Sequence, residues 1–298
     1  MKHRAACMMA IIAASCCLLC SPAVDRNGEL RRVVSLSPSI TRQIIDLGME
    51  NLLAGVTDDD IPQGKKIPII GTIVRPNTEI IVTLSPDAVI CSEEDAAVQN
   101  TAGISSAGVR VVRLPANRDF NGLCDNYVEL GRLLGAAGTA EMKAGAYRAE
   151  RMRMVDAGPG ASTDHGAGSK RLRAVFIVSL RPLMTVSGGS FIGNMLNDAG
   201  CDNPYGDAAM PYPLISAESL VREDPDVVVS MMPGTVDYFR LTFGNVKIRT
   251  LENGTVYEIA PDHVAYYTPA DYLAALSEIR ACVGAARGKI LREAGLRP

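Results

Sequence analysis

Ser190 stands in Gly188-Gly189-Ser190-Phe191-Ile192-Gly193, where a nucleophile would first be sought, but these glycines are not spaced as G-x-S-x-G. Beyond the N-terminal segment the histidines are His165 and His263. A Ser–His–Asp triad would have to recruit one of these two from loop-like sequence. The same glycines form neither G-x-x-x-x-G-K-[ST] nor G-x-G-x-x-G, so no nucleotide fingerprint is present. They either let the backbone approach a ligand or simply start a helix. The Pro-Asp pairs at 86–87 and 225–226 read as turns ahead of strands, not as paired catalytic acids. Cys91, Cys124, Cys201 and Cys282 are singletons without a C-x-x-C pair, which argues against zinc. They could pair as disulfides or serve as small buried apolar residues. The chain does not read as an enzyme.

The address is written in the first residues. MKHRAACMMAIIAASCCLLCSPAV (1–24) has a short basic start, Lys2 and Arg4, followed by an apolar run too short for a permanent span. Small residues Ala13-Ala14-Ser15 precede Cys16, the arrangement of a lipoprotein signal, and ordinary cleavage after Ser21-Pro22-Ala23 competes with it. Either way the mature chain is exported, to the periplasm or to the outer face of a membrane. The net charge of −3 includes those two signal cations, so the remainder is more acidic still. A mildly acidic chain with no basic stripe argues against nucleic acid.

The elements that would position a site alternate between strand and helix. RVVSL, LLAGVT, AVICS and VRVVRLP read as short buried strands, with helices over SPSITRQIIDLGM, 93–107 and DFNGLCDNYVELGRLLG. GTAEMKAGAYRAERMRMV is rich in strong helix formers and free of proline, and a loop-like stretch follows it. The pattern then restarts with the strand RLRAVFIVSL, a glycine-rich turn into a helix, ESLVREDPDVVVSM and a closing helix from Pro269. An internal repeat ties the halves together. Glu79 lies seven residues before Pro86-Asp87 and Glu218 seven before Pro225-Asp226, each pair leading into an apolar strand. The expected fold is α/β: two Rossmann-like lobes with mostly parallel sheets, joined by one long helix, with a ligand cleft between them. The divisions are an export or lipoprotein signal at 1–24, a first lobe at 31–136, a connecting helix at 137–157 and a second lobe at 170–298.

RVVSLSPSITRQIIDLG, NTEIIVTLSPDAVI, LMTVSGGSFIGNMLNDAG and MPYPLISAESLVREDPDVVV together resemble the helical-backbone solute-binding proteins of bacterial ABC importers for cobalamin, haem and iron–siderophore chelates. The resemblance covers 32 to about 285. It implies ligand capture between lobes with modest closure, no intrinsic cofactor, and a metal chelate as cargo. It also implies docking on a membrane permease through one glutamate per lobe, here Glu79 and Glu218. An acid in a helix's first turn also gains about 0.3–1 kcal/mol from the dipole. The positions matching the family's corrin-caging aromatics are Ile73, Ser92, Met184 and Tyr212, of which only the last is aromatic. The loop IGTIVRPN carries no tyrosine for a haem iron, and two histidines are few for bare zinc or manganese.

The implied cleft offers Arg75 and Arg181, whose planar forks suit carboxylate, catecholate or propionate oxygens. It also offers Met184, Tyr212 and the cluster of Asp262, His263, Tyr266 and Tyr267, where Tyr and His can ligate ferric iron or stack on a flat chelate. An iron chelate (siderophore or haem) is the first ligand these residues suggest, with cobalamin the alternative. A different class, an exported sensor or enzyme on the same fold, lacks any reason to keep Glu79 and Glu218. Arg42 stands where relatives often carry Glu. A monomer held at the membrane through lipid on Cys16 completes the expectation.

Overall fold

The computed structural model describes residues 29–58, 66–93, 101–156, 170–261 and 268–295. In the first lobe, β1 (Val33–Ser35), β2 (Leu53–Gly55), β3 (Ala88–Ser92) and β4 (Val111–Leu114) form an all-parallel sheet in the order β2-β1-β3-β4. β1 to β3 are buried throughout, as strands covered on both faces must be. The cover comes from α1 (Pro38–Asp46), α2 (Thr78–Thr83), α3 (Thr101–Ser106) and α4 (Phe120–Leu133). Only the second part of the helix expected over 93–107 is described, as α3.

The connector α5 (Ala137–Asp156) has 20 residues, about 30 Å of rise. Its first three turns are tied to the first lobe: Lys143 donates to Asp46 Oδ1 at 3.0 Å and Arg148 to Asp125 Oδ1 at 2.6 Å. Its last turns reach the second lobe, through Arg151 to Asp198 and through the Met154 carbonyl to Arg280.

The second sheet has β5 (Leu172–Leu180) flanked by antiparallel β6 (Leu183–Thr185) and by parallel β8 (Val227–Ser230), with β9 (Val256–Glu258) beyond; β7 (Cys201–Asp202) pairs with the start of β5. Around it lie α6 (Phe191–Asp198), α7 (Ala217–Glu223), α8 (Thr235–Phe243), α9 (Arg249–Glu252) and the closing helix α10 (Pro269–Glu293). Thr268 and Asp271 start α10 with a reciprocal capping box. β6 and α8 were not anticipated by the strand and helix patterns above. The chain is α/β in two lobes. One apolar core runs through both, from Val33 and Tyr127 to Phe176, Tyr272 and Ile279, and a smaller core lies under the far face of each sheet.

The repeat has a physical basis. Asp87 Oδ2 accepts the backbone N–H groups of Arg31 and Arg32 at 2.7 and 2.8 Å, and Asp226 Oδ2 accepts that of Arg173 at 2.8 Å. Each aspartate N–H returns a bond to the carbonyl of Arg32 or Arg173. Each Pro-Asp pair thus clamps the start of its lobe's first strand. The residue before each proline, Ser85 or Asp224, takes a positive φ of 47° or 41°. The four described cysteines are free thiols, three of them buried.

Candidate functional site

The carboxyl ends of both sheets converge. α4, α6 and α10 all begin at that side of their lobes, and their first residues meet: Phe120 lies 4.7 Å from the Tyr272 ring and Phe191 5.2 Å from it, between centroids. Arg151 sits 5.7 Å over the Phe120 ring and forms a fork onto Asp198, Nε to Oδ2 at 2.6 Å and Nη2 to Oδ1 at 2.7 Å. Tyr272 Oη donates to the same carboxylate at 2.5 Å. Burial first, then the charge and hydrogen bond of Asp198, push the Tyr272 phenol far above its ordinary range. Burial alone would lower the Arg151 pKa; the bonds and charge of Asp198 raise it on balance. Asn194 Nδ2 crosses the seam to the Arg118 carbonyl at 2.9 Å. This seam is the floor of a cleft between the two rows of strand ends, where open parallel sheets bind ligands.

The first lobe's wall includes the loop after β2. Val56 pairs in parallel with Ile69, so residues 71–76 lie past the carboxyl end of β2. The loop is tight: Asn77 N donates to Ile70 O at 2.6 Å, and Arg75 N bonds the Thr72 carbonyl and hydroxyl. Gly71 has φ +106°, and a Cβ there would stand 2.5 Å from Arg75 O. The tip presents half-buried Ile73, Val74 at 57% exposure, and exposed Arg75. The Arg75 guanidinium has no hydrogen bond or ion pair among the described residues. Ser92, at the end of β3, is buried and offers a ligand little.

In the second lobe the β5–β6 turn carries Arg181, exposed and also without a side-chain partner among the described residues. Met184 pairs with Ser179 across the turn and with Leu214 on its other side. Residues 211–215 extend the sheet past β6 through bonds from Thr185 N to Pro213 O and Ile215 N to Leu183 O. That places Met184, Leu214 (66% exposed) and exposed Tyr212 along one apolar strip. The glycines of 188–193 serve the turn. Ser190 caps α6 by accepting Gly193 N at 2.9 Å, and a Cβ on Gly193 would lie 1.8 Å from Ser187 O.

Sequence reasoning missed the neighbouring groove. Between the end of β5 and α8, at the point where strand order reverses, lies an open cavity of about 460 Å³ lined by Leu180, Arg181, Met232, Tyr238 and Leu241, among others. Val236, Phe239 and Phe243 at helical spacing after Gly234 were the available signal for α8. A somewhat larger cavity, about 540 Å³, lies at the far end of α8 beside Arg240 and Lys247, away from the strand ends.

Glu79 and Glu218 occupy equivalent places, each two residues after an N-cap, Asn77 or Ser216. Both are exposed. The Glu79 carboxylate has no described partner. Its counterpart's own backbone N–H, then the Ser216 side chain, hold the Glu218 carboxyl below the usual range. Asp262, His263, Tyr266, Tyr267, His165 and Cys16 lie outside the described residues. Among the described residues no group of His, Cys, Asp and Glu could hold a metal, and no helix is long and apolar enough to cross a membrane.

The sequence profile described as "Periplasmic binding protein" matches residues 33–262. A cobalamin-binding protein of Halobacterium salinarum is 30% identical over 216 residues, 70% of this chain and 56% of the relative, so the chain matches little more than half that protein's length. A substrate-binding lipoprotein of an uncharacterised Bacillus subtilis ABC transporter is 26% identical over 81% of this chain and 76% of its own length. Among solved structures, the periplasmic vitamin B12 binding protein of Vibrio cholerae superposes with a TM-score of 0.73 at 20% identity, covering 87% of this chain and 98% of that one. The apo haem-binding protein of Roseiflexus has the same score at 22% identity, covering 86% and 99%.

Proposed function

The chain belongs to the periplasmic binding protein family, and from that membership we propose that it is an exported receptor that captures a tetrapyrrole-sized metal chelate and delivers it to the permease of an ABC importer. The observation that carries the ligand class is the pair of cleft walls. Each lobe presents apolar side chains at its strand ends, half-buried Ile73 and exposed Val74 on one side and half-buried Met184 with exposed Tyr212 and Leu214 on the other. Apolar walls flanked by guanidinium groups that have no partner among the described residues suit a large flat ligand with polar edges. Relatives named for cobalamin move a corrinoid ahead of the iron chelate that the residues alone suggested. Haem is the second reading, favoured by Arg75 and Arg181, which have no partner among the described residues, and by solved neighbours named for haem. No bond is made or broken in this role, and the chelate is cargo, not a cofactor. A lipid on Cys16 would keep the monomer at the membrane.

Glu79 and Glu218 are the permease contacts in this reading. Their equivalence in the repeat and their exposure support it, because first-turn dipole stabilisation alone does not require the same place on both lobes. The test is a titration of the mature protein with cyanocobalamin, haem and a ferric siderophore, followed by tyrosine fluorescence, with Glu79→Ala/Glu218→Ala alongside. Saturable binding by one ligand is expected, retained in the double variant while import through the cognate transporter is lost. No binding by wild type would sink the ligand class, and loss of affinity in the double variant would sink the docking role.

A further inference from the structure

We propose that the groove between the β5–β6 turn and α8 seats an anion-bearing side arm of the captured chelate, with Arg181 reading the charge. This rests on the receptor reading above and adds to it a specificity pocket outside the main apolar walls. The groove continues the second wall, because Ser179 lines it and pairs with Met184 across the turn. Its surface has two parts. Leu180, Met232, Tyr238 and Leu241 supply an apolar trough, and Leu241 is 86% exposed, so no described residue covers it.

The lining holds one cation, Arg181. Arg181 has no partner among the described residues. The groove's acid, Asp237, is turned along its own helix to Arg240 at 3.4 Å. An anion could instead have sought the N-terminus of α8, but that end is filled from within. The Glu258 carboxylate accepts Gly234 N at 3.3 Å and Val236 N at 3.0 Å. Arg181 is what remains for an incoming charge. A side arm that ends in a carboxylate, or that carries a phosphodiester along it, fits this arrangement, and both share the bidentate acceptor that a guanidinium fork matches.

Matched ligand pairs separate the two sources. Cyanocobalamin carries a phosphodiester in its nucleotide loop and dicyanocobinamide lacks that loop; haem carries two carboxylates and its dimethyl ester none. Mature wild type, Arg181→Gln and Leu241→Asp are titrated with all four. In the pair that the protein recognises, the anionic member should bind about tenfold or more tightly than its counterpart, the scale of a charge-assisted hydrogen bond. Arg181→Gln should erase that advantage and leave the counterpart's affinity within about threefold, so that the difference of differences isolates the charge from other lost contacts. Leu241→Asp, at an exposed position, should weaken the anionic member alone. Equal weakening of both members by Arg181→Gln, or an advantage that survives it, overturns the pocket while the receptor reading stands. Failure of wild type to bind any of the four overturns both.

Discussion

Replacing Asp198 tests whether the lobes are held by the seam at the cleft floor. The residue is 5% exposed, and its carboxylate accepts three bonds, two from Arg151 and one from Tyr272. Asp198→Ala leaves the buried Tyr272 hydroxyl unsatisfied, at about 1–3 kcal/mol. It also strands Arg151, which is about one-third exposed and so recovers part of its loss from water. The sum is about 4 kcal/mol, within the range for breaking one side of a buried ion pair. At about 2–4 °C per kcal/mol for a chain this size, Tm should fall by about 8–16 °C. Tyr272→Phe alone keeps the Arg151 fork and should cost about 1 kcal/mol. In the double variant no phenol is stranded, so the losses should fall short of additive by about 1 kcal/mol. The assay is urea unfolding followed by far-UV circular dichroism, since the chain has no tryptophan. A loss below about 1 kcal/mol for Asp198→Ala, or strict additivity with Tyr272→Phe, would refute the reasoning.

Alkali should unfold the protein through its buried phenols. Burial first, then Asp46, pushes Tyr147 up to about 12, and Tyr127 and Tyr272 lie higher still. Unfolded phenols ionise near pH 10, so the stability from keeping these neutral is complete below about pH 10 and is lost as pH rises through the folded values. Absorbance at 295 nm should show exposed tyrosines ionising first and a later cooperative step coincident with loss of ellipticity; a single step with the fold intact would contradict this. Burial raises Cys124 to about 11 and Cys201 to about 12, so at pH 8, of Cys91, Cys124, Cys201 and Cys282, a disulfide reagent should label at most Cys282 in the native protein and all four once it is unfolded. Gly71→Ala should destabilise by about 1–3 kcal/mol in urea and weaken ligand binding, because it strains the loop that carries Val74 and Arg75; an unchanged protein would show that loop to be loosely held.

What could be read in the sequence were the features that local physics enforces. VVS, AVICS and VVVS are apolar on both faces because their strands are covered on both sides, and that composition announces a parallel sheet wherever it occurs. The equal spacing from Glu79 to Pro86 and from Glu218 to Pro225 survived because each Pro-Asp pair does the same job, although the turn reading caught only half of it. The carboxylates of Asp87 and Asp226 hold the starts of β1 and β5 as well. What escaped was whatever depends on a distant partner. β6 has three residues and acquires its strip of Met184, Leu214 and Tyr212 only because 211–215 returns alongside it. The serine of SGGSFIG drew attention as a nucleophile, and its oxygen is committed to capping α6.

The seam was the least legible feature and constrains the mechanism most. Phe120, Phe191 and Tyr272 each sit in an ordinary helix start, with sequence separations that no local period connects. Packed together they make the two lobes share one core with α5 and α10. A rigid-body swing of one lobe would have to part Phe120 from Tyr272, break the Asn194–Arg118 bond and expose apolar surface at about 25 cal/mol per Å². Close-packed interiors resist that kind of deformation. In the receptor role proposed above, closure on a ligand would then be carried by small shear at the seam and by the loops that bear Arg75 and Arg181, and Glu79 and Glu218, each in the first turn of a helix capped from its own chain, would keep nearly the same spacing in the free and loaded states.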